Sequence, residues 1–484
     1  MTPPAIPTPP AIPVGVVGAG TMGAGIAQVA AVTGRRVLLA DAIPGAAERA
    51  IIQLRDRVKS LVAKGRLDID PEALDLSAVD LSSPGSSVFA DCDVVIEAIA
   101  EDLAAKRQLF AALERIVSPG CMLASNSSSL SPTAMAAGLE YPGRLVGLHF
   151  FNPAPAMKLV EVISGLATAP ETAERAADLA AAWGKTVVRS AATPGFIVNR
   201  IARPFYAEAW RLYEEGASVP ETIDAVLTGA AGFRMGPFAL MDLIGHDVNE
   251  AVTRSVWAAF GHDARFAPSL AQRALVEAGW LGRKTGRGIY SYAQSAASPA
   301  APAALAPASP PPSRPLLDRA DPLELPSGAL LAQCEGVAAT SLSAAAKRPV
   351  IVVDRVLDPA TATAIAIAPS DGCPGAAIAE ATGLFQAAKL DVFVIDDAPG
   401  LIVTRTVAML VNLAADALAC HVASADDIDT AMRLGVSYPI GPLAWGRRWG
   451  VRAVLSILDN LEDWYRDGHY RASPLLRRMA ISKP

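Results

Sequence analysis

Residues 14–41 constrain this chain more tightly than any other stretch. An apolar run, Val14–Val17, leads into Gly18-Ala19-Gly20-Thr21-Met22-Gly23. A helix-like stretch follows, and a second apolar run from Val37 ends at Asp41, 23 residues after Gly18. Each part has a physical task in a strand–turn–helix unit that holds a dinucleotide. Gly18 makes the tight turn, Gly20 lets the backbone approach a pyrophosphate, and Gly23 lets helix pack on strand. Thr21 and Met22 open the helix, whose N–H groups and positive dipole end face the anion. Asp41 can accept hydrogen bonds from both ribose hydroxyls of an adenosine and would repel a 2′-phosphate, so NAD is favoured over NADP. A glycine-rich packing turn is the competing reading of the loop alone.

The rest of the first half alternates short apolar runs with longer helical patterns. Strands are expected at Val14–Val17, Val37–Ala40, Asp93–Ile99, Met122–Ser125 and Leu145–Phe150. Near-continuous apolar runs of this kind suit a parallel sheet covered on both faces. From about Thr193 the pattern turns helical.

A self-comparison shows a repeat. Pro194-Gly195-Phe196-Ile197-Val198-Asn199-Arg200 matches Pro399-Gly400-Leu401-Ile402-Val403-Thr404-Arg405. Ile223-Asp224 matches Ile428-Asp429, and Gly236-Pro237 matches Gly441-Pro442, all at an offset of 205 residues. A duplicated helical domain is expected. Residues 293–315 hold seven prolines and no aromatic residue in 23 positions, the composition of a solvated, semi-stiff linker. Between linker and second copy, Val350–Val353, Ala362–Ala368 and Val392–Ile395 read as strands of an eroded sheet without a second nucleotide loop.

The expected fold is an α/β Rossmann-type NAD-binding domain (1–191) followed by an all-α domain (192–292). A linker (293–315), a Rossmann-like remnant (316–395) and a second copy of the all-α domain (396–484) complete the chain.

Three segments carry candidate chemistry: Ser125-Asn126-Ser127-Ser128-Ser129-Leu130, His149-Phe150-Phe151-Asn152-Pro153 and Lys158-Leu159-Val160-Glu161-Val162. Oxidising an alcohol by hydride transfer needs a base for the hydroxyl proton, and histidine serves at neutral pH. A carboxylate on its other ring nitrogen fixes the tautomer, and His149 with Glu161 could form that pair. A histidine at a strand end is equally a satisfied core residue. Glu161 is harder to dismiss, because a buried carboxylate without a partner is costly. Ser127–Ser129 could be a helix cap and nothing more.

With GAGTMGAGIAQ at 18–28, DVVIEAIAED at 93–102, SNSSSL at 125–130, GLHFFNPAPAMKLVEVI at 147–163, TPGFIVNR at 193–200 and GRKTGRGIY at 282–290, the chain resembles the L-3-hydroxyacyl-CoA dehydrogenase family. The match runs from about residue 13 to 292, and the second helical copy is similar to that of the family's elongated members. The resemblance implies NAD-dependent oxidation of an L-3-hydroxyacyl-CoA to the 3-oxoacyl-CoA, in fatty-acid or aromatic-acid catabolism. It assigns His149 as general base and Glu161 as its orienting partner. Ser128 and Asn199 would hydrogen-bond the reacting oxygens of the substrate. Glu101, Lys106, Ser128, Asn152 and Lys284 match positions near NAD, and Lys64 one near the CoA phosphates. Ser127 stands where the family commonly has Thr. Arg57 stands where a family serine touches CoA, which leaves the details of CoA binding open. Thr404 replaces Asn199 in the second copy, which also lacks an upstream His-Glu pair and reads as structural.

Two rival readings use the same residues. A relative with this sheet and His-Glu pair could oxidise a free sugar acid, and Lys64 could be a mere surface charge. A non-catalytic NAD-binding protein would be expected to have lost Ser128, His149, Glu161 or Asn199, and all four are present.

Composition excludes other classes. The net charge is −6 with no basic block, so nucleic acid is not an expected partner. The apolar run around Val407–Val422 carries Asn412 and Asp416 and reads as a buried helix, so no membrane span is expected. Five scattered cysteines without a CxxC suggest neither disulfides nor a metal site, and fit a reducing cytoplasm. The proline-rich N-terminus does not resemble a signal peptide.

Overall fold

The computed structural model of the chain describes residues 12–80, 87–292 and 322–482. The linker expected at 293–315 and the first eleven residues lie outside them. The described chain forms two compact units, one of residues up to Ile197 with His421–Asp427, the other of Val198–Cys420 with Ile428 onward.

Among the described residues, the first unit is built on an eight-stranded sheet. In chain order its strands are β1 (Val14–Val17), β2 (Val37–Asp41), β3 (Leu76–Asp80), β4 (Val94–Glu97), β5 (Met122–Ser125), β6 (Leu145–Phe150), β7 (Leu159–Ser164) and β8 (Thr186–Ala191). Their spatial order is β3-β2-β1-β4-β5-β6-β7-β8. The reversal between β1 and β4 is the topological switch point at which such sheets bind ligands. Helices Thr21–Val32, Ala46–Ala63 and Pro170–Ala182 bury alanines and aliphatics against one face, and Leu103–Glu114 covers the other. Strands β1, β4, β5 and β6 are buried at every position, as their continuous apolar sequences require.

The expectation of a parallel sheet needs one correction: β6 and β7 run antiparallel. Residues 151–158 are too few for a parallel crossover, which takes about a dozen residues or more. The hairpin sets His149 directly opposite Glu161.

The second unit holds most of the later helices, from Val198–Ile201 on, and a smaller sheet. Its strands are β9 (Leu323–Glu324), β10 (Leu330–Gln333), β11 (Val350–Val353), β12 (Ala364–Pro369) and β13 (Asp391–Val394), in the order β13-β12-β11-β10-β9. The three strands expected here correspond to β11, β12 and β13; β9 and β10 were not foreseen.

The matched motifs have matching local structure. Asp224 accepts the N–H groups of Phe238 and Ala239 at 2.9 and 2.8 Å, capping the helix Pro237–Ile244. Asp429 does the same for Leu443 and Ala444 at 2.8 and 3.0 Å, at the start of Pro442–Trp449. A Cβ on Gly236 or Gly441 would lie within 2.4 Å of the capping aspartate, so neither position tolerates a side chain. Phe196 and Leu401, also 205 apart, share positive φ angles of 48° and 43°.

The apolar run carrying Asn412 and Asp416 is part of the helix Val403–Ala419, buried from Val403 through Ala417. It packs on Arg203–Glu214 and also on Pro442–Trp449, Val451–Tyr465 and Pro474–Ser482. Charged pairs line its approach to the earlier helices. Arg200 and Arg265 both reach Asp416, at 3.0 and 3.4 Å, and Arg405 reaches Glu215 at 3.2 Å. Buried Glu208 accepts from His469 Nε2 at 2.6 Å and from the Tyr470 hydroxyl at 2.8 Å. Among the described residues, no helix is long and apolar enough to cross a membrane.

Candidate active site

The glycine loop follows β1 at the switch point. Gly18 takes φ +106°, and a Cβ there would sit 2.4 Å from the carbonyl oxygen of Ala98. A Cβ on Gly23 would fall 1.7 Å from the Gly18 carbonyl oxygen, so helix and turn meet through bare backbone. Gly20 has open space around its missing Cβ and caps the helix Thr21–Val32 without a side-chain hydrogen bond. That leaves first-turn N–H groups and room for a pyrophosphate, so the residues present fit a dinucleotide. Met22 turns its side chain into the core of the unit. Asp41 accepts the Ala19 N–H at 2.6 Å and the Ile43 N–H at 2.9 Å, which ties the acid at the end of β2 to the loop after β1.

A second cluster fills the ends of β4 and β5. Glu97, fully buried, accepts from Lys106 Nζ at 2.5 Å, from the Ser125 hydroxyl at 2.5 Å and from the Ile99 N–H at 2.8 Å. The Lys106 ammonium also lies 3.1 Å from Glu101. Glu101 in turn gathers the serine turn: it accepts the Ser127 hydroxyl at 2.6 Å, the Ser129 hydroxyl at 2.9 Å and the Ser128 and Ser129 N–H groups at 3.1 Å each. Burial pushes the Glu101 carboxyl up, but the Ser127 hydrogen bond, the Lys106 charge and the Ser129 hydrogen bond outweigh it, and the group ionises below its ordinary value. Ser127 Oγ accepts the Leu130 N–H at 2.8 Å and so closes the serine turn; the helix that follows, Pro132–Ala136, starts from Ser131 without a side-chain cap, so the serines are not a helix cap.

His149 and Glu161 form the third cluster. The ring Nδ1 lies 2.7 Å from Glu161 Oε2, and both side chains are buried. Glu161 Oε1 accepts the Ile197 N–H at 3.2 Å. A carboxylate on Nδ1 fixes that nitrogen as the donor and leaves Nε2 as the basic site. Phe151 and Phe196 flank the imidazole with ring centroids 4.5 and 6.0 Å away. Asn126 Oδ1 accepts the Phe150 N–H at 2.8 Å and stitches the serine turn to the residue after His149.

The glycine loop, Asp41, Glu101, Lys106, Ser128, His149 and Glu161 thus share one unit, most of them near strand ends and the turns that follow, with Lys106 on the helix Leu103–Glu114 and Glu161 inside β7. Asn152 is exposed just beyond β6, and Lys64 is exposed at the C-terminal end of Ala46–Ala63. In the other unit, Asn199 lies on the short helix Val198–Ile201, and Lys284 donates to Asp247 at 2.5 Å. Thr404 is fully buried there, and its hydroxyl donates to Asp354 at 2.7 Å.

Sequence reasoning missed Glu97, and it named the segment that holds Ser125 and Asn126 without giving either a role. The signal for Glu97 was present: it sits inside an apolar strand, where a carboxylate demands a partner, as Glu161 does.

Known proteins resemble this chain in sequence and fold. The family model for the 3-hydroxyacyl-CoA dehydrogenase NAD-binding domain matches residues 13–193. The model for the C-terminal domain of those enzymes matches 195–292 and 400–483, and that for a 3-hydroxybutyryl-CoA dehydrogenase reduced Rossmann-fold domain matches 331–399. The 3-hydroxyadipyl-CoA dehydrogenase of Escherichia coli K12 is 45% identical over 97% of each chain. The pig mitochondrial hydroxyacyl-coenzyme A dehydrogenase is 40% identical over 57% of this chain and 90% of its own. The crystal structure of a 3-hydroxybutyryl-CoA dehydrogenase from Escherichia coli K12 superimposes with a TM-score of 0.92, covering 97% of this chain and 98% of that one. The chain belongs to the 3-hydroxyacyl-CoA dehydrogenase family, and its cofactor is NAD.

Proposed function

We propose that the NAD-dependent oxidation of 3-hydroxyacyl-CoA by this chain is carried by His149 as general base, with Glu161 holding its tautomer. The 2.7 Å contact from His149 Nδ1 to a buried carboxylate is the observation that supports it. His149 Nε2 takes the hydroxyl proton, and the Glu161 carboxylate stabilises the imidazolium that forms. Ser128 and Asn199 hydrogen-bond the substrate oxygens, and Lys64 meets the CoA phosphates. The loop Gly18, Gly20, Thr21, Met22 and Gly23 holds the pyrophosphate, and Asp41 the adenosine ribose. Glu101, Asn152 and Lys284 complete the NAD site. Lys106 is buried, so it acts through Glu101. NAD supplies the hydride acceptor. Kinship over the whole chain with a 3-hydroxyadipyl-CoA dehydrogenase favours a CoA ester over a free sugar acid.

A substrate panel tests this reading. NADH oxidation is followed with acetoacetyl-CoA, longer 3-oxoacyl-CoAs and dicarboxylic ones. Turnover of CoA esters is expected; activity confined to free hydroxy or oxo acids would overturn it. The same panel separates butyryl-type from adipyl-type preference.

We infer further that 192–292 and 396–484 are two copies of one helical domain, joined through 293–315 and the remnant 316–395. The second copy is structural, and the two form a pseudo-dimer within one chain. The paired helix caps at Asp224 and Asp429 support this, as do the helix contacts of Val403–Ala419 and the binding of Thr404 to Asp354. The free state of Cys92, Cys121, Cys334, Cys373 and Cys420 suits the cytoplasm.

A further inference from the structure

The helical unit brings many arginines into its interior, and nearly all find a carboxylate. Arg200, Arg211, Arg265 and Arg405 each have one within 4 Å. Arg203 is the exception. Its relative exposure is 5%, and among the described residues no carboxylate comes within ion-pair distance. One nitrogen, Nη1, donates to Thr253 Oγ1 at 3.0 Å, and the guanidinium lies 4.9 Å from the Tyr206 ring centroid. Its Nε has no partner. Burial pulls the Arg203 pKa below its ordinary value, yet a guanidinium does not give up its proton at neutral pH. An unpaired charge in the interior is strongly unfavourable, so a counter-charge is missing from the side chains alone.

Arg203 also lines a cavity of about 120 Å³. Tyr206, Trp210 and Phe266 form much of its wall, and His469 closes it from the C-terminal helical segment. Glu214 and Ser269, at its mouth, are at least partly exposed, and they bond to each other at 2.6 Å. Aromatic ring edges carry partial positive charge and accept an anion beside a guanidinium. The charge balance limits the occupant. Glu208, bonded to the wall residue His469, and Glu214 at the mouth are already carboxylates. Arg211, the other cation in the wall, is already paired with Asp467 and Glu215, so a dianion would face both carboxylates with one unpaired cation to hold it.

We propose that this cavity is a binding site for a small monoanion of the size of formate, acetate or a halide, held by Arg203. Because His469 closes the cavity opposite residues of the 198–292 segment, the bound anion fastens the two helical segments together. The site is separate from the dehydrogenase chemistry and does not depend on its assignment.

Sodium formate is titrated into the full-length enzyme at constant ionic strength, with sodium gluconate, too large for the cavity, as balancing salt. The melting temperature is expected to rise saturably by roughly 2 °C, and the rise to vanish in Arg203→Met. A linear rise of equal size in both proteins would overturn the site. Bromide soaks of wild-type crystals give an answer that needs no variant. An anomalous peak against the Arg203 guanidinium supports the proposal; bromide at surface positions with none at Arg203 overturns it.

Discussion

His149 and Glu161 face each other across the antiparallel step between β6 and β7, as cross-strand partners joined by a 2.7 Å hydrogen bond. Paired strands hold them more rigidly than loops could. Replacing His149 by Ala should lower kcat by roughly 10²–10⁴ with NAD affinity little changed. Glu161→Gln keeps the shape but cannot stabilise an imidazolium, and should also lower kcat. Steady-state kinetics with acetoacetyl-CoA and calorimetry with NADH check both. Near-normal turnover in either variant would rule out the pair.

Asp41 should decide the cofactor. A 2′-phosphate would sit against a carboxylate already held by the Ala19 and Ile43 N–H groups. Like-charge contact costs several kcal/mol, or about a hundredfold or more in kcat/KM for NADPH relative to NADH. Comparable values for the two would show that Asp41 does not meet the ribose.

Asn199 and Thr404, at matching positions, should fail differently. Asn199→Ala should reduce turnover by removing a donor to the substrate oxygen. Thr404→Val removes the hydroxyl bonded to buried Asp354 and should cost about 1–3 kcal/mol of stability, with turnover per folded enzyme unchanged. Denaturation curves and active-site-normalised kinetics separate the two. Equal kinetic losses at both positions would contradict a single catalytic copy.

Glu208 predicts an acid-sensitive interior. Burial pushes its carboxyl up, but the charge and hydrogen bond of His469, then Arg405 and Arg211, outweigh it, and its folded-state pKa lies below the ordinary value. Its stabilisation is therefore present above about pH 4.3, the unfolded value, and is lost as pH falls through the depressed native one. Glu208→Gln should be less stable than wild type at pH 7 by roughly 3–5 kcal/mol. That gap should narrow as pH drops below about 4. A gap in urea midpoint that holds constant from pH 7 to pH 3 would locate the acid sensitivity elsewhere.

Truncation after Tyr292 should expose the face of Arg203–Glu214 that Val403–Ala419 covers. Aggregation or a new two-chain dimer is expected by light scattering. A soluble, fully active monomer would show that the second helical segment serves some other purpose.

Much of this was readable before the structure because it rested on local pattern. β1, β5, β6 and β11 fall where apolar runs put them, since a strand buried on both faces writes its own sequence. β3 and β8 escaped because LSAVD and TVVRSA mix polar residues into strands defined by their neighbours. β9, two residues long, exists only through its pairing with β10. Glu161 stood out as a carboxylate in an apolar run and the family resemblance assigned His149 as its partner, whereas the contact between Asn126 and Phe150 depends on how a side-chain amide turns. The repeat pointed to a packed pair of helical segments but not to its bonds, since Arg200 and Asp416 are 216 residues apart.

The charged pairs around Val403–Ala419 are not mirror images. Arg200 and Arg265 converge on Asp416, whereas Arg405 and His469, approaching from the other segment, divide between Glu215 and Glu208. When two identical chains meet, every substitution is made twice, and a harmful change strikes both halves at once. If the two helical segments are copies fused into one chain, as proposed, that coupling is lifted. Each side can mutate alone, be compensated alone and acquire residues its counterpart lacks. On the proposed duplication, the lopsided bonding here is what that freedom would leave, and a second half without its own chemistry would have a route to properties of its own.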